Sequence, residues 1–299
     1  MKKTIAAVSL LFCTIYGFAQ KRYEVITIPQ NLKTHANAIL RNQEESIEIK
    51  EADNVIYHLK EAITILNKNG DDFAQIVINY DKSRQIKWIK GVIYNEFGLQ
   101  TAKFSEHDFN DASAISNFSL YEDDRLKHFK PSVNSYPYTI ELEYEIRQRQ
   151  SLVLPRWQPT SDAEIAVEKS SFKIICKPEL NLRIKENNFL GKMQTEELKD
   201  QKVYSWQVEN IKALREEPFL PDPHTFMTSV EVVPEKFSFG GKPGTFTNWE
   251  EFSKWMTNTL LKGRDEIPAQ TVAYIHDLVK DIPDPKQKAK KIYEYMQQK

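Results

Sequence analysis

Cysteine is almost absent: the chain holds two, Cys13 and Cys176, among 299 residues. Cys13 falls in an N-terminal segment that reads as discarded, so one thiol remains and an intramolecular disulfide is excluded. Net charge is nearly absent too. A formal value of -1, with a pI near 6.6 and acids and bases mixed along the chain, supplies no field for nucleic acid or an anionic membrane. The densest basic run, Lys286, Lys288, Lys290 and Lys291, flanks an apolar stripe, as a solvated helix face does. Past the N-terminus no segment approaches membrane-spanning length. The six histidines, His35, His58, His107, His128, His224 and His276, show neither metal-ligand spacing nor a helical i, i+4 pair. Gly240–Thr245 would need Ser or Thr where Pro243 stands to cradle a phosphate, so it reads as a turn. No calcium-loop alternation of oxygen ligands around a glycine is present. The expectation is no metal, no cofactor and no catalytic residue in this chain.

What is present begins with an address. Met1-Lys2-Lys3 is a charged start, Ile5 to Phe18 a short apolar run, and Gly17-Phe18-Ala19 a small-residue cleavage pattern. This three-part signal predicts removal of residues 1–19, with cleavage between Ala19 and Gln20, and a mature protein in the periplasm or outside the cell. Phe12 precedes Cys13 where a lipoprotein anchor needs a small residue, so no lipid anchor is expected.

Tyr23 to Ile28 is a short apolar-rich entry closed by Pro29, and from His35 to about Val208 the prevailing period is two, the mark of strands with one buried face. Ile140, Leu142, Tyr144 and Ile146 alternate with Glu141, Glu143, Glu145 and Arg147. Tyr57, Leu59, Ile63 and Ile65 share one face of the segment from Val55 to Leu66. Ile76, Ile78 and Tyr80 do the same after a turn at Asn69-Gly70-Asp71-Asp72. Further strands are predicted at Gln85 to Tyr94, Ala163 to Glu168, Ser171 to Cys176, Asn181 to Lys185 and Val203 to Val208. Asn31 to His35 suits a helical turn. Ser105 to Asn134 is polar and weakly periodic, and reads as a long surface excursion. Many short strands with turn signals predict a mainly β chain, an antiparallel two-sheet β-sandwich, followed by a short α-helical segment.

Three prolines at Pro218, Pro221 and Pro223 end the ladder. Thr228 to Pro234 and Phe237 to Phe239 can add a strand before the helices. The first helix has a capping box at Thr247-Asn248-Trp249-Glu250, with Phe252, Trp255, Met256 and Leu260 on one face. The second runs from Pro268 to about Asp281, with Val272, Ile275 and Val279 inward and His276 partly buried at the stripe's edge. Asp284-Pro285 caps a third, whose stripe of Ala289, Ile292, Tyr293 and Met296 runs almost to the last residue without a stop signal. The predicted organisation is a signal at 1–19, a β domain at 20–216, a Pro/Gly-rich linker with a strand at 217–246, and a helical start of a further domain at 247–299.

Few residues suggest chemistry. Cys176 shares a strand face with Phe172 and Ile174 and reads as core, with no histidine partner in view. Asp71-Asp72 and Asp123-Asp124 are paired carboxylates, but turns attract Asp in any case. His58 sits beside Lys60 on a polar strand face and reads as a surface residue. Trp88, Trp157 and Trp206 could stack on sugars. Trp206 lies with Tyr204 and Val208 on a core face, whereas Trp157, between Pro155 and Pro159, stays open. Asn117-Phe118-Ser119 is a glycosylation acceptor only in a host that modifies such sites.

An ordered series of segments is similar to one family. It comprises His35-Ala36-Asn37-Ala38-Ile39-Leu40-Arg41, Ile47-Glu48-Ile49, Tyr138 to Ile146, Leu154-Pro155-Arg156-Trp157-Gln158-Pro159, Tyr204-Ser205-Trp206, Glu216-Glu217-Pro218 and Trp249-Glu250-Glu251-Phe252. They resemble the domain of unknown function that precedes transglutaminase-like domains in secreted proteins of Gram-negative bacteria. The resemblance implies a β-sandwich followed by the opening helices of a transglutaminase-like, papain-like fold. There a Cys, a His and an Asp carry acyl transfer or amide hydrolysis. Nothing after Lys299 supplies them, and Cys176 does not take that role. The resemblance therefore implies a non-catalytic region that scaffolds a catalytic domain or presents substrate to it. The alternative is a self-contained envelope module that binds glycan or peptide through Trp157 or the Ser105 to Asn134 excursion. A self-sufficient enzyme is the third reading. The partners open to the chain are an envelope protein, a peptide or a glycan.

Overall fold

The structure, a computed structural model, describes residues 22–298 apart from 115–122, 134, 161, 216, 220, 223–224 and 265. The signal segment with its Ala19–Gln20 cut, Cys13, Asn117 to Ser119 and His224 lie outside the described residues. The chain divides into two units, Met1–Pro243 and Gly244–Lys299.

In chain order the strands are β1 (Ala38–Glu51), β2 (Asn54–Ile65), β3 (Ile76–Tyr80), β4 (Arg84–Tyr94) and β5 (Gln100–Ser105). Next come β6 (Asn110–Ser113), β7 (Arg125–Phe129), β8 (Tyr138–Gln148), β9 (Ile165–Cys176) and β10 (Leu182–Asn187). The series closes with β11 (Gln194–Glu197), β12 (Lys202–Ile211), β13 (Ser229–Pro234), β14 (Lys236–Phe239) and β15 (Lys242–Thr245). Eight of them form one sheet in the order β11-β12-β9-β1-β2-β8-β4-β5. A three-stranded sheet, β3-β7-β6, and a two-stranded sheet, β10-β13, are separate from it.

The long sheet has one apolar face because β2 and β8 alternate as their sequences predict. Val55, Tyr57 and Leu59 of β2 and Ile140, Leu142 and Ile146 of β8 are buried, while Glu141, Glu143 and Glu145 point the other way. The two small sheets cover this apolar face side by side. Ile76 and Ile78 of β3 join Leu59, Ile140 and Leu142 in the core, and Val230 and Val232 of β13 join Phe172 and Trp206. On the opposite face, a helical turn α1 (Gln30–Lys33) and the strand entry bury Ile28, Leu32 and Ala36 against Ile39, Ala166 and Ala213. Arg41 pins that entry, bonding the Glu168 carboxylate at 2.5 Å and Thr27 Oγ1 at 2.8 Å.

Three expectations are revised. The long sheet is not wholly antiparallel, since β1 pairs with β9 in parallel across a crossover of more than a hundred residues. The turn at Asn69 to Asp72 does not close a hairpin. Its residues form a 3₁₀ segment, Lys68–Ala74, that carries the chain from the long sheet to the covering one, where β3 pairs with β7. The polar stretch Ser105 to Asn134 is no loose excursion. It supplies β6 and β7, and its Phe109 and Phe129 stack with Phe104, at 4.6 Å between the rings of Phe104 and Phe129. Within 217–246, β13 lies where a strand is expected at Thr228 to Pro234, and it pairs with β10 along six residues with Ser229, Val230, Val232 and Pro234 buried. The two-residue turn between β14 and β15 is made by Gly240 and Gly241 at φ 58° and 72°, left-handed backbone that glycine adopts freely.

Gly91 matters for a different reason. It lies opposite Phe104 in the β4–β5 pair, and a Cβ built there would stand 2.0 Å from the ring's Cζ. Gly91→Val is therefore expected to lose about 1–3 kcal/mol by displacing the ring from its aromatic trio. An unchanged urea midpoint would show that the ring moves aside freely.

In the second unit, α2 (Trp249–Trp255) continues as a π-helical stretch, Met256–Leu261, and is followed by α3 (Ala269–Val279) and α4 (Pro285–Gln297). The cap expected at Thr247 to Glu250 stands one residue further on: Asn248 is the cap and accepts from Glu251 N at 2.9 Å, and the Glu251 carboxylate accepts from Thr247 N at 2.9 Å. Asp284 caps α4 through Lys286 N at 3.1 Å. Of the predicted inward residues of α3, Val279 is buried, Ile275 half-buried and Val272 exposed. His276, expected at the edge of the stripe and partly buried, is exposed. The outer stripe of α4 leaves Tyr293 and Met296 at 60% and 66% exposure.

Candidate functional site

The centre of the long sheet is β1, and its middle reads Arg41-Asn42-Gln43-Glu44-Glu45-Ser46. A register shift between Leu40 and Asn42 resets the alternation, so Gln43 and Glu45 turn to the same face as Leu40 and Ile47. Both are buried at 8% exposure. On β2 the position opposite Gln43 is Glu61, between the apolar Leu59 and Ile63. Glu45 and Glu61 are thus diagonal neighbours across the β1–β2 pair, close enough for their side chains to interact.

Hydrogen bonds link these groups under the covering sheets. Trp157 Nε1 donates to Ser170 Oγ at 2.9 Å, Ser170 Oγ donates to Gln43 Oε1 at 2.7 Å, and Gln43 Nε2 donates to Glu61 Oε2 at 3.3 Å. The Tyr57 hydroxyl donates to Glu45 Oε2 at 3.1 Å, and its ring lies 5.9 Å from that of Tyr144. Burial pushes the Glu45 carboxyl up to about 8. The Tyr57 hydrogen bond opposes this, and the charge of Glu61 adds to it. Burial likewise raises Glu61, against the hydrogen bond from Gln43. Burial, then the charges of Glu61 and Glu45, pushes the Tyr144 hydroxyl upward. Two carboxyls in one desolvated patch do not both ionise easily, so Glu45 stays largely protonated at neutral pH.

Beside this patch is a cavity of about 150 Å³. Its floor is the inward face of β2 and β8, including Glu61 and Tyr144, and its wall is Gln75, just before β3, with Ile76, Val77 and Ile78 of β3. Glu61, Ile63 and Tyr144 are half-buried, so the floor is reached from solvent. The cavity lies at the inner margin of the β3-β7-β6 sheet.

The opposite face of the long sheet carries a different cluster. His58 Nε2 lies 3.1 Å from Glu143, its ring 5.8 Å from that of Trp88, and Lys90 approaches Glu143 at 3.1 Å. Partial burial would raise the Glu143 carboxyl, but the hydrogen bonds from Lys90 and His58 and the charges of Lys90 and Lys60 outweigh it and lower it. His58 is accordingly a half-buried, partnered residue and not the free surface histidine its sequence context predicts.

The remaining sequence candidates divide cleanly. Trp157, left open as a sugar platform, has 0% exposure, lies parallel to Phe172 at 6.0 Å, and is unavailable to a glycan. Trp206 is buried as expected, with Nε1 donating to Glu186 at 2.6 Å. Cys176 is buried in the same core cluster as Phe172 and Ile174, and burial raises its thiol. Asp71 accepts the Tyr136 hydroxyl at 2.6 Å, and Asp123 pairs with Lys82, so these turn carboxylates fasten loops. Among the described residues no cluster of three or more His, Cys, Asp or Glu could hold a metal, and no helix is long and apolar enough to cross a membrane. Sequence reasoning passed over Glu45 and Glu61. The available signal was a carboxylate interrupting the apolar face Tyr57, Leu59, Ile63, Ile65 at its midpoint.

Solved structures place the fold. The chain is similar to a protein from Parabacteroides distasonis provisionally described as a protease, with a TM-score of 0.65 at 12% identity over 88% of this chain and 50% of that one. An M1 zinc metallopeptidase from Deinococcus radiodurans aligns over 81% of this chain and 53% of its own, at 8% identity and a TM-score of only 0.33. The chain spans about half the length of both. No curated protein matches it in sequence. The profile of one family, a domain of unknown function with a solved structure (DUF3857), matches residues 51–215.

Proposed function

The chain belongs to the DUF3857 family, and from this premise we propose that it is the non-catalytic N-terminal region of a secreted transglutaminase-like protein. Its role is to scaffold a cysteine-dependent acyl-transfer or amide-hydrolysis domain, or to present substrate to it. The helices from Trp249 onward are, in this reading, the first of that domain. The observation that carries the proposal is that a similar fold makes up half of a longer chain provisionally described as a protease. The state of the one described thiol agrees with it. A nucleophilic cysteine needs access and a lowered pKa, and Cys176 has 2% exposure and a raised one.

The purified chain is therefore expected to release no product from a fluorogenic casein or glutamine-amide substrate, and Cys176→Ala to match it. Turnover that vanishes in Cys176→Ala would make the chain a thiol enzyme in its own right. Turnover that survives would point to chemistry elsewhere in it. A second reading, a self-contained envelope module that binds peptide, is favoured by the half-open cavity beside β3. The glycan form of that reading loses Trp157, which is buried.

A further inference from the structure

We propose that the inner edge of β3, with the cavity beside it, binds an extended peptide that pairs with β3 through its main chain and seats one lysine or arginine side chain over Glu61.

The shape of the cavity gives the first reason. Gln75, Ile76, Val77 and Ile78 all line it. Side chains of consecutive strand residues point to opposite faces, so a cavity touching three strand residues in a row, and Gln75 just before them, runs along the strand's backbone edge and not beneath one face. β3 is the terminal strand of its sheet, and β7 is its one strand partner. Among the described residues, no backbone bond reaches Ile76 to Tyr80 from any other segment except by way of β7.

The second reason is the character of that edge. Natural sheets blunt a free edge with lysine, proline or a bulge. β3 reads Ile76-Val77-Ile78-Asn79-Tyr80, contains none of these, and leaves Val77 46% exposed. The long sheet has eight strands, whereas the strands of the two covering sheets on its apolar face number five. A strand added to β3 at about 4.8 Å would continue the cover over β2, above Leu59, Glu61 and Ile63.

Charge selects the occupant. Glu61 and Tyr144 are the ionisable groups in the lining, and the rest of it is apolar apart from Gln75. An aliphatic side chain would shut Glu61 away from water without a cationic partner, and an acidic one would add repulsion. A lysine or arginine would bring an alkyl stem for the apolar walls and a cation for the carboxylate. This gives the presenting role proposed above a substrate class and rests on that role only for the use made of the bound peptide. Absence of peptide binding would leave the scaffolding role intact, and absence of scaffolding would leave the peptide site intact.

The test is calorimetric titration of the whole mature chain with capped Thr-Val-Lys-Val-Thr, with its norleucine and glutamate counterparts, and with a form N-methylated at alternate amides. The lysine peptide is expected to bind about ten-fold or more tightly than the norleucine one, as a charge-assisted contact implies. Glu61→Gln, which keeps an acceptor for Gln43, is expected to bring the two within about two-fold. The N-methylated peptide is expected not to bind. In the wild-type chain, amide exchange should slow at alternate positions from Ile76 to Tyr80 on adding the lysine peptide, a readout independent of any variant. Equal affinity of the lysine and norleucine peptides, binding of the N-methylated form, or protection confined to other strands would each overturn the proposal. So would a dimer by sedimentation whose amides at alternate positions from Ile76 to Tyr80 are already protected without peptide and lose that protection on dilution to monomer.

Discussion

Raising the pH from about 5 to about 9 is expected to destabilise the wild-type chain, and Glu45→Gln is expected to remove most of that dependence. The folded protein holds the Glu45 carboxyl at about 8 against 4.5 for an unperturbed glutamate, so between these values the folded state keeps a proton that the unfolded chain releases. Stability from this group is fully present below about 4.5, falls through the window, and is lost above about 8. At 1.36 kcal/mol per unit the span sets a ceiling of roughly 5 kcal/mol, and partial relaxation brings the expected loss to about 3. Glu61, also raised, adds in the same direction. Glutamine at position 45 retains an oxygen for the Tyr57 hydroxyl and carries no charge to desolvate. The variant should therefore match the wild type near pH 5 and exceed it at pH 9. Urea midpoints across the range provide the measurement, and an equal slope in both proteins would place the titration elsewhere.

Trp157→Ala is expected to cost about 3–5 kcal/mol, the range for deleting a buried aromatic side chain. The ring has 0% exposure, lies parallel to Phe172 at 6.0 Å and edge-on to Phe189 at 6.3 Å. Its backbone exchanges two hydrogen bonds with Val230, at 3.1 and 2.9 Å, which ties the segment after β8 to β13. Its indole N–H also starts the donor chain through Ser170 and Gln43 to Glu61. Trp157→Phe separates the two contributions, keeping most of the stacking while leaving Ser170 without its donor, for a loss of about 1–2 kcal/mol. A double-mutant cycle between Trp157→Phe and Ser170→Ala should show coupling of about 1 kcal/mol. Additivity of the two changes would mean that the hydrogen bond contributes nothing beyond packing.

Both predictions concern residues whose roles the sequence only half discloses. The alternation in β8 was legible because polar and apolar side chains obey one rule along the strand. Phe172, Ile174 and Cys176 were legible as one buried face for the same reason. β1 was not legible as the centre of the sheet. Its middle is a run of six polar residues, and the register shift at Arg41 breaks the alternation where Gln43 and Glu45 turn inward. Ser105 to Asn134 was misleading for a related reason: β6 and β7 are short, and this stretch presents to the core chiefly Phe109, just before β6, and Phe129 of β7.

The amino-acid sequence by itself determined that the chain is mainly β, which faces of β2 and β8 are apolar, that Asp284 caps the last helix and that Cys176 is a core residue. Each of these rests on forces acting between near neighbours or between a side chain and water. Only the tertiary structure decided which strands pair, that β1 and β9 run parallel, and that Trp157, Ser170, Gln43 and Glu61 form one line of hydrogen bonds. Those positions lie up to 127 residues apart, and no local pattern encodes a contact of that range. The raised carboxyls belong to the same class. A glutamate's pKa answers to the water it has lost and the charges beside it, and both are set when β1 and β2 are roofed by strands from elsewhere in the chain.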